Sequence, residues 1–198
     1  MLHAAGRLSR SAHCVTRPDA AALYRRALGE NWTRLPPALR AMHDHSTSHS
    51  ASGRAEVRRG TSSSARMIAF IFGFPLSSPD IAVQVRFDVR GDREVWIRRF
   101  GDRSFFSEQW NGTGRFAGLF CERFGSLTFG LALELHDGRL HFNVKRAEVS
   151  GLQLPAWLTP VSRSFELERD GRFHFDVEIS HPFAGLIVGY RGWLTSEP

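Results

Sequence analysis

The sequence predicts an α+β domain: a strongly curved antiparallel β-sheet, half-barrel or barrel-like, of about eight or nine strands, covered by N-terminal helices and one short apolar helix. Three observations carry this expectation. From residue 80 onward apolar residues recur with period two, which gives each strand one dry and one wet face. Short turns containing Gly and Asp separate these runs, and hairpin turns impose antiparallel pairing. Helical spacing is confined to the chain before residue 76. Eight or nine strands exceed the usual four to six of an open sheet, so the sheet is expected to curl.

The elements follow in order. Leu23, Ala27 and Leu28 stand at helical spacing, with Asp19 placed to cap and Gly29 to stop. A second short helix is expected after Pro36-Pro37, using Leu39 and Met42. The Ser-rich stretch "HDHSTSHSAS" reads as a loop, and "GRAEVRRG" as a first strand. "TSSSARMIAFIFGFP" opens on N-capping serines and closes on Gly73 and Pro75, which marks a helix. Its apolar residues Met67, Ile68, Phe70, Ile71, Phe72 and Phe74 lie on nearly every side, as expected of a buried helix or a greasy lid.

Strict alternation then begins. Ile81, Val83, Val85, Phe87 and Val89 share one face, and Leu127, Phe129, Leu131, Leu133 and Leu135 share another. Leu140, Phe142 and Val144 repeat the pattern, as do Phe173, Phe175, Val177 and Ile179. These faces predict one common core. Arg90-Gly-Asp-Arg93, Gly101-Asp102, Asp137-Gly138 and Asp170-Gly171 are the expected hairpin turns. "GLQLPAWLTP", with two prolines, is expected to cross an end of the sheet.

Composition narrows the class. A chain of 198 residues with 42% hydrophobic content can bury a core of ordinary size. No apolar run approaches the roughly 20 residues of a membrane span, so a soluble, cytoplasmic protein is expected. Cys14 and Cys121 have neither metal nor redox spacing. Residues 1–66 carry a net charge of +7 and residues 67–198 a net of −1, so the body presents no excess of positive charge and nucleic acid is not an expected partner. Residues 1–18 hold Arg7, Arg10 and Arg17 but no continuous apolar stretch, and read as a disordered tail; residues 19–198 read as a single α+β domain.

No familiar catalytic motif is present. Gly112, Gly114 and Gly118 have the spacing of a dinucleotide loop but sit among hairpins, so a glycine-rich turn is expected and no cofactor. His43, His45 and His49 fall in the Ser-rich loop, which argues for a solvated segment and against a metal site. His174, Asp176, Glu178 and Ser180 share the wet face of a strand. His181 changes parity before Pro182 and is the one candidate general acid or base, with Glu178 or Tyr190 in support; a structural histidine at a strand bend is the alternative. Trp96, Arg98 and Phe100 share a face, and Phe106, Glu108 and Trp110 share one across the next turn. With Arg191 they form a candidate ligand-binding set: if the face lines the interior, an arginine among aromatics would recognise an acidic head group, and if it faces water these are cross-strand pairs.

"LYRRALGENWTRLPPALRAMHD", "REVWIRRFGDRSF", "GLQLPAWLTP" and the closing "FDVEISHPFAGLIVGYRGWL" together resemble bacterial proteins of the domain of unknown function 4166 family over about residues 20–194. The resemblance implies no activity. Members of that family occur alone or joined to saccharopine-dehydrogenase-like oxidoreductases, which implies an accessory role beside an NAD(P)-dependent enzyme. The expected function is thus a non-enzymatic module that binds an apolar or acidic lipid-like ligand, or that docks an oxidoreductase. An enzyme centred on His181 is the alternative.

Overall fold

Ten strands close into an antiparallel barrel in the computed structural model, which describes residues 22–197. The tail read at 1–18, Cys14 and the capping Asp19 lie outside the described residues. The ring consists of β1 (His49–Arg59), β2 (Ser78–Arg90), β3 (Arg93–Phe100), β4 (Arg103–Asn111), β5 (Phe120–Phe124), β6 (Leu127–His136), β7 (Arg139–Val149), β9 (Val161–Arg169), β10 (Arg172–His181) and β11 (Gly185–Ser196). β8 (Leu152–Gln153) pairs with the end of β7 outside the ring. Of the two expected forms, half-barrel or barrel, the sheet takes the closed one, and the expected eight or nine strands are corrected to ten in the ring with one more outside it. Closure leaves no free sheet edge around the ring except where neighbouring strands diverge.

All four expected hairpin turns are present, joining Arg90 to Arg93, Phe100 to Arg103, His136 to Arg139 and Arg169 to Arg172. Asp137 and Gly138, like Asp170 and Gly171, have positive φ at both central positions, the geometry that suits the strand twist. The first strand is longer than expected: it begins at His49, inside the stretch read as a loop. Two joints close the ring. β1 meets β11 over nine residue pairs, from Ala51 with Ser196 to Arg59 with Val188. β7 meets β9 over three, from Arg139 with Leu167 to His141 with Phe165, after which these long strands separate.

Helices occupy both ends. α1 (Leu23–Leu28), a 3-10 turn (Gly29–Arg34) and α2 (Pro37–His43) plug one end and bury Leu23, Tyr24, Trp32, Leu39 and Met42. Glu168 of β9 accepts a hydrogen bond from the Ala38 amide at 2.7 Å, satisfying an otherwise free donor in the first turn of α2. α3 (Ser63–Ile71) lies at the opposite end, capped by the Ser62 hydroxyl, which accepts from the Ala65 amide at 3.1 Å and donates to the Ala184 carbonyl at 2.6 Å. Of the two expectations, a buried helix or a greasy lid, burial does not hold. Only Ala65 and Ala69 are buried, while Met67, Phe70 and Ile71 face outward. "GLQLPAWLTP" forms β8 and a 3-10 turn (Ala156–Leu158) at this same end, as expected of a crossing segment.

Candidate functional site: the barrel cavity

The inward faces of the strands do not meet. They leave a cavity of about 110 Å³. Its walls are mainly apolar: Val83 and Val85 from β2, Phe129 and Leu131 from β6, Phe142 and Val144 from β7, and Phe175, Val177 and Ile179 from β10. The period-two alternation produces this lining directly, because every second residue of each strand points inward. The floor lies at the plugged end, where the Tyr24 ring stacks on His43 with centroids 3.8 Å apart. Pro160 and Ser162 line it where β9 has parted from β7.

One wall is polar. Arg98 Nη2 donates to Glu122 Oε1 at 3.0 Å and Arg98 Nη1 to the Ser107 hydroxyl at 2.8 Å, while the guanidinium carbon lies 4.8 Å from the Trp96 ring centroid. Ser107 and Gln109 also donate to Glu122 Oε1, at 2.6 and 3.0 Å, and the Tyr24 hydroxyl donates to Gln109 at 3.1 Å. The arginine's charge is thus compensated by a carboxylate on the neighbouring wall. All three bonds to Glu122 fall on Oε1; Oε2 takes none among the described residues. Glu166, also in the lining, is 2.6 Å from His43 Nε2.

Tyr190 faces the same space, packed against Phe100 and Phe175 with ring centroids at 5.2 and 6.0 Å. Its hydroxyl has no hydrogen-bond partner among the described residues. Burial pushes its pKa up to about 12, with Arg98 pulling the other way, so it stays a neutral donor at any physiological pH. Burial likewise raises the carboxyl of Glu94, which accepts from the Trp96 indole at 3.1 Å.

The candidate residues divide. Trp96, Arg98 and Phe100 line the cavity as the shared-face reading requires. Phe106, Glu108 and Trp110 stand on the outer wall instead, where Trp110 lies beneath Arg93 and Arg123, at 4.9 and 5.8 Å, and Glu108 pairs with both arginines. Arg191 is also outside, held by Glu56 at 2.6 and 2.9 Å. The acid and base candidates are not brought together. Tyr190 is inside, whereas Glu178 is outside and 3.8 Å from Arg58. His181 sits at the α3 end with Nε2 3.2 Å from the Leu158 carbonyl, while its Nδ1 accepts from the Phe183 amide at 3.2 Å.

The histidines of the Ser-rich stretch are not solvated together. His43 is buried at the cavity floor. His45 and His49 stack face to face with centroids 3.3 Å apart, and His49 stacks in turn on Phe87 at 4.3 Å. Stacked rings direct their lone pairs sideways rather than at one point, and no metal-holding group of three such side chains occurs among the described residues. Gly114 and Gly118, both with positive φ, belong to the turn that joins β4 to β5 and lays Phe116 over Gly130.

A family model described as a domain of unknown function (DUF4166) matches residues 35–194, which spans α2 and the whole barrel up to Leu194 of β11. The chain belongs to this family. No curated protein and no solved structure matches it. The family assignment thus covers the cavity and its polar wall, and the site's chemistry must be argued from the residues themselves. Ser107, Gln109, Tyr24 and the His43–Glu166 pair were not singled out from the sequence as parts of the interior, and Glu122, a possible partner for an inward His181, pairs with Arg98 instead. The signal for Ser107 and Gln109 was available: a two-residue turn at Gly101-Asp102 sets Trp96 opposite Ser107 and Arg98 opposite Phe105.

Proposed function

We propose that the barrel is a non-enzymatic binding module that takes an elongated apolar molecule bearing an uncharged polar group, such as a fatty alcohol or another hydroxylated lipid. The observation that carries this reading is the apolar cavity with a single polar wall, the usual composition of a site that encloses a hydrophobic ligand and fixes its orientation by a few polar groups. Glu122 Oε2 offers an acceptor and the Tyr190 hydroxyl a donor, a pair that suits a ligand hydroxyl. An acidic head group fits less well. Arg98 already carries the Glu122 carboxylate, and a second carboxylate beside it would add uncompensated negative charge in a desolvated space.

Mass spectrometry of the freshly purified protein, first native and then after organic extraction, tests the reading. A bound neutral lipid is expected, absent from a Leu131→Trp variant whose added ring fills the cavity. Titration with 1-decanol and with decanoate, which share a chain and differ in the head group, tests the polar wall. The alcohol is expected to bind at least about tenfold more tightly, and tighter binding of decanoate would restore the acidic-ligand alternative. If no lipid co-purifies and neither probe binds, the barrel is not a lipid carrier.

A further inference from the structure

We infer that the α3 end of the barrel is a docking face for an anionic lipid bilayer. This inference rests on the cavity reading for the purpose of the contact, which is delivery or uptake of the ligand. It rests on a separate set of residues for the contact itself.

The distribution of exposed apolar side chains is one-sided. Of the eleven large hydrophobic residues that are exposed among the described residues, nine lie in segments at the α3 end: α3 itself, the chain entering β2, the end of β7, β8, the 3-10 turn at Ala156–Leu158, the start of β9 and the turn between β10 and β11. The remaining two, Ile97 and Phe106, oppose each other across β3 and β4 on the barrel wall. Among the described residues the plugged end exposes none. Phe70, Ile71 and Phe183 are 69%, 68% and 71% exposed, values suited to a second phase rather than to water.

These groups are held as one surface. Ser62 fastens the start of α3 to the turn that carries Phe183, and Phe183 meets Trp157 edge to face with centroids 6.0 Å apart. His181 fastens the same turn to Leu158, one residue beyond Trp157. The two backbone contacts of the His181 ring therefore present Phe183 and Trp157 outward together.

The charge at this end is complementary to phosphate. Arg66, Arg103 and Arg163, on α3, β4 and β9, form no ion pair among the described residues. Arg59 faces Arg66 and Arg103 closely enough for their like charge, after burial, to lower its own pKa. Glu178 stands opposite Arg163 across β9 and β10 and is shared with Arg58 at 3.8 Å, and Asp102 neighbours Arg103, so the arginines outnumber the acids around them. Apolar side chains that enter the acyl boundary, rimmed by arginines at head-group level, are the two components of interfacial membrane binding. Pro160 and Ser162 line the cavity at the β7–β9 parting, which lies at this same end, so the docked face sets that part of the cavity wall nearest the bilayer.

Flotation with liposomes of phosphatidylcholine alone and with 30% phosphatidylglycerol (a chosen composition, about one lipid in three) tests the inference. The protein is expected to float with the anionic vesicles and to remain in the load with the neutral ones. Phe70→Ser with Phe183→Ser is expected to abolish flotation, and Arg66→Gln with Arg103→Gln to weaken it by about fivefold per arginine. Ile97→Ser with Phe106→Ser, on the wall, is expected to leave it unchanged. The melting temperature of each variant verifies folding. Equal binding to both vesicles, or loss in the wall variant alone, overturns the inference. So does sedimentation as a dimer that the Phe70 and Phe183 changes dissociate, since the face would then bind a second copy. A protein that carries lipid yet never floats refutes the docking face only, whereas one that floats but carries no ligand refutes the cavity reading only.

Discussion

Arg98 Nη2 and Glu122 Oε1 meet at 3.0 Å inside the barrel, with side chains only 11% and 15% exposed. A pair so placed is sensitive to loss of either member, because the remaining charge is left desolvated. Arg98→Met alone and Glu122→Leu alone are each expected to lower the unfolding free energy by about 3–5 kcal/mol. The double variant is expected to recover most of that loss. Urea unfolding of the three variants measures the coupling, and additive losses would show that the pair is not acting as a unit.

Acid should loosen the seam between α2 and β1. Burial first, and then the charge of neighbouring His45, lowers the pKa of His49 from 6.5 to about 4. The unfolded chain therefore binds a proton near pH 6.5 that the folded chain refuses until near pH 4, so stability falls as pH falls across that window. His45 shifts in the same direction, chiefly through burial. His49→Phe keeps the stacking on Phe87 and removes the proton site. Melting temperatures between pH 7 and pH 4 are expected to fall more steeply for the parent than for this variant.

His181→Ala removes a ring bonded on both sides to the backbone. The expected loss is about 1–3 kcal/mol, seen as a lower melting temperature. Lipid content in the extracted protein should be unchanged, because no cavity atom is touched. A selective loss of bound lipid without a change in melting would instead place His181 in the site.

Cys121 is fully buried, and burial raises its thiol pKa to about 11. In a Cys14→Ser background, native protein is expected to resist a thiol reagent at pH 8, with labelling appearing only as the chain unfolds. Rapid labelling of the native protein would mean that β5 opens readily.

Much of this architecture was legible in the sequence, for physical reasons that differ by region. The alternation on β2, β6, β7 and β10 and the four hairpin turns are local properties, and each led to the observed face and register. Ring closure was not local. The nine pairs between β1 and β11 join residues more than 120 positions apart, and nothing in either strand alone names its partner. The alternation set Trp96, Arg98 and Phe100 on one face without deciding between interior and solvent, and the compensation of Arg98 by Glu122 depends on β5 lying beside β4, a tertiary relation. Phe106, Glu108 and Trp110 do share a face, but the two-residue turn sets it opposite in sense to that of Trp96, Arg98 and Phe100, since a one-residue offset in a strand inverts every side chain. For α3, apolar residues on nearly every side left burial and a lid equally open, because composition alone does not say which side of the helix the barrel will cover.

The parting of β7 and β9 also has a mechanical meaning. These strands, of eleven and nine residues, share only three pairs, whereas β6 with β7 and β9 with β10 share ten and nine. Force on the wall from within is opposed by the full ladders on either side and by almost nothing at the gap. The ring is therefore weakest along the single line between β7 and β9, where a seam of three pairs stands between two full ladders.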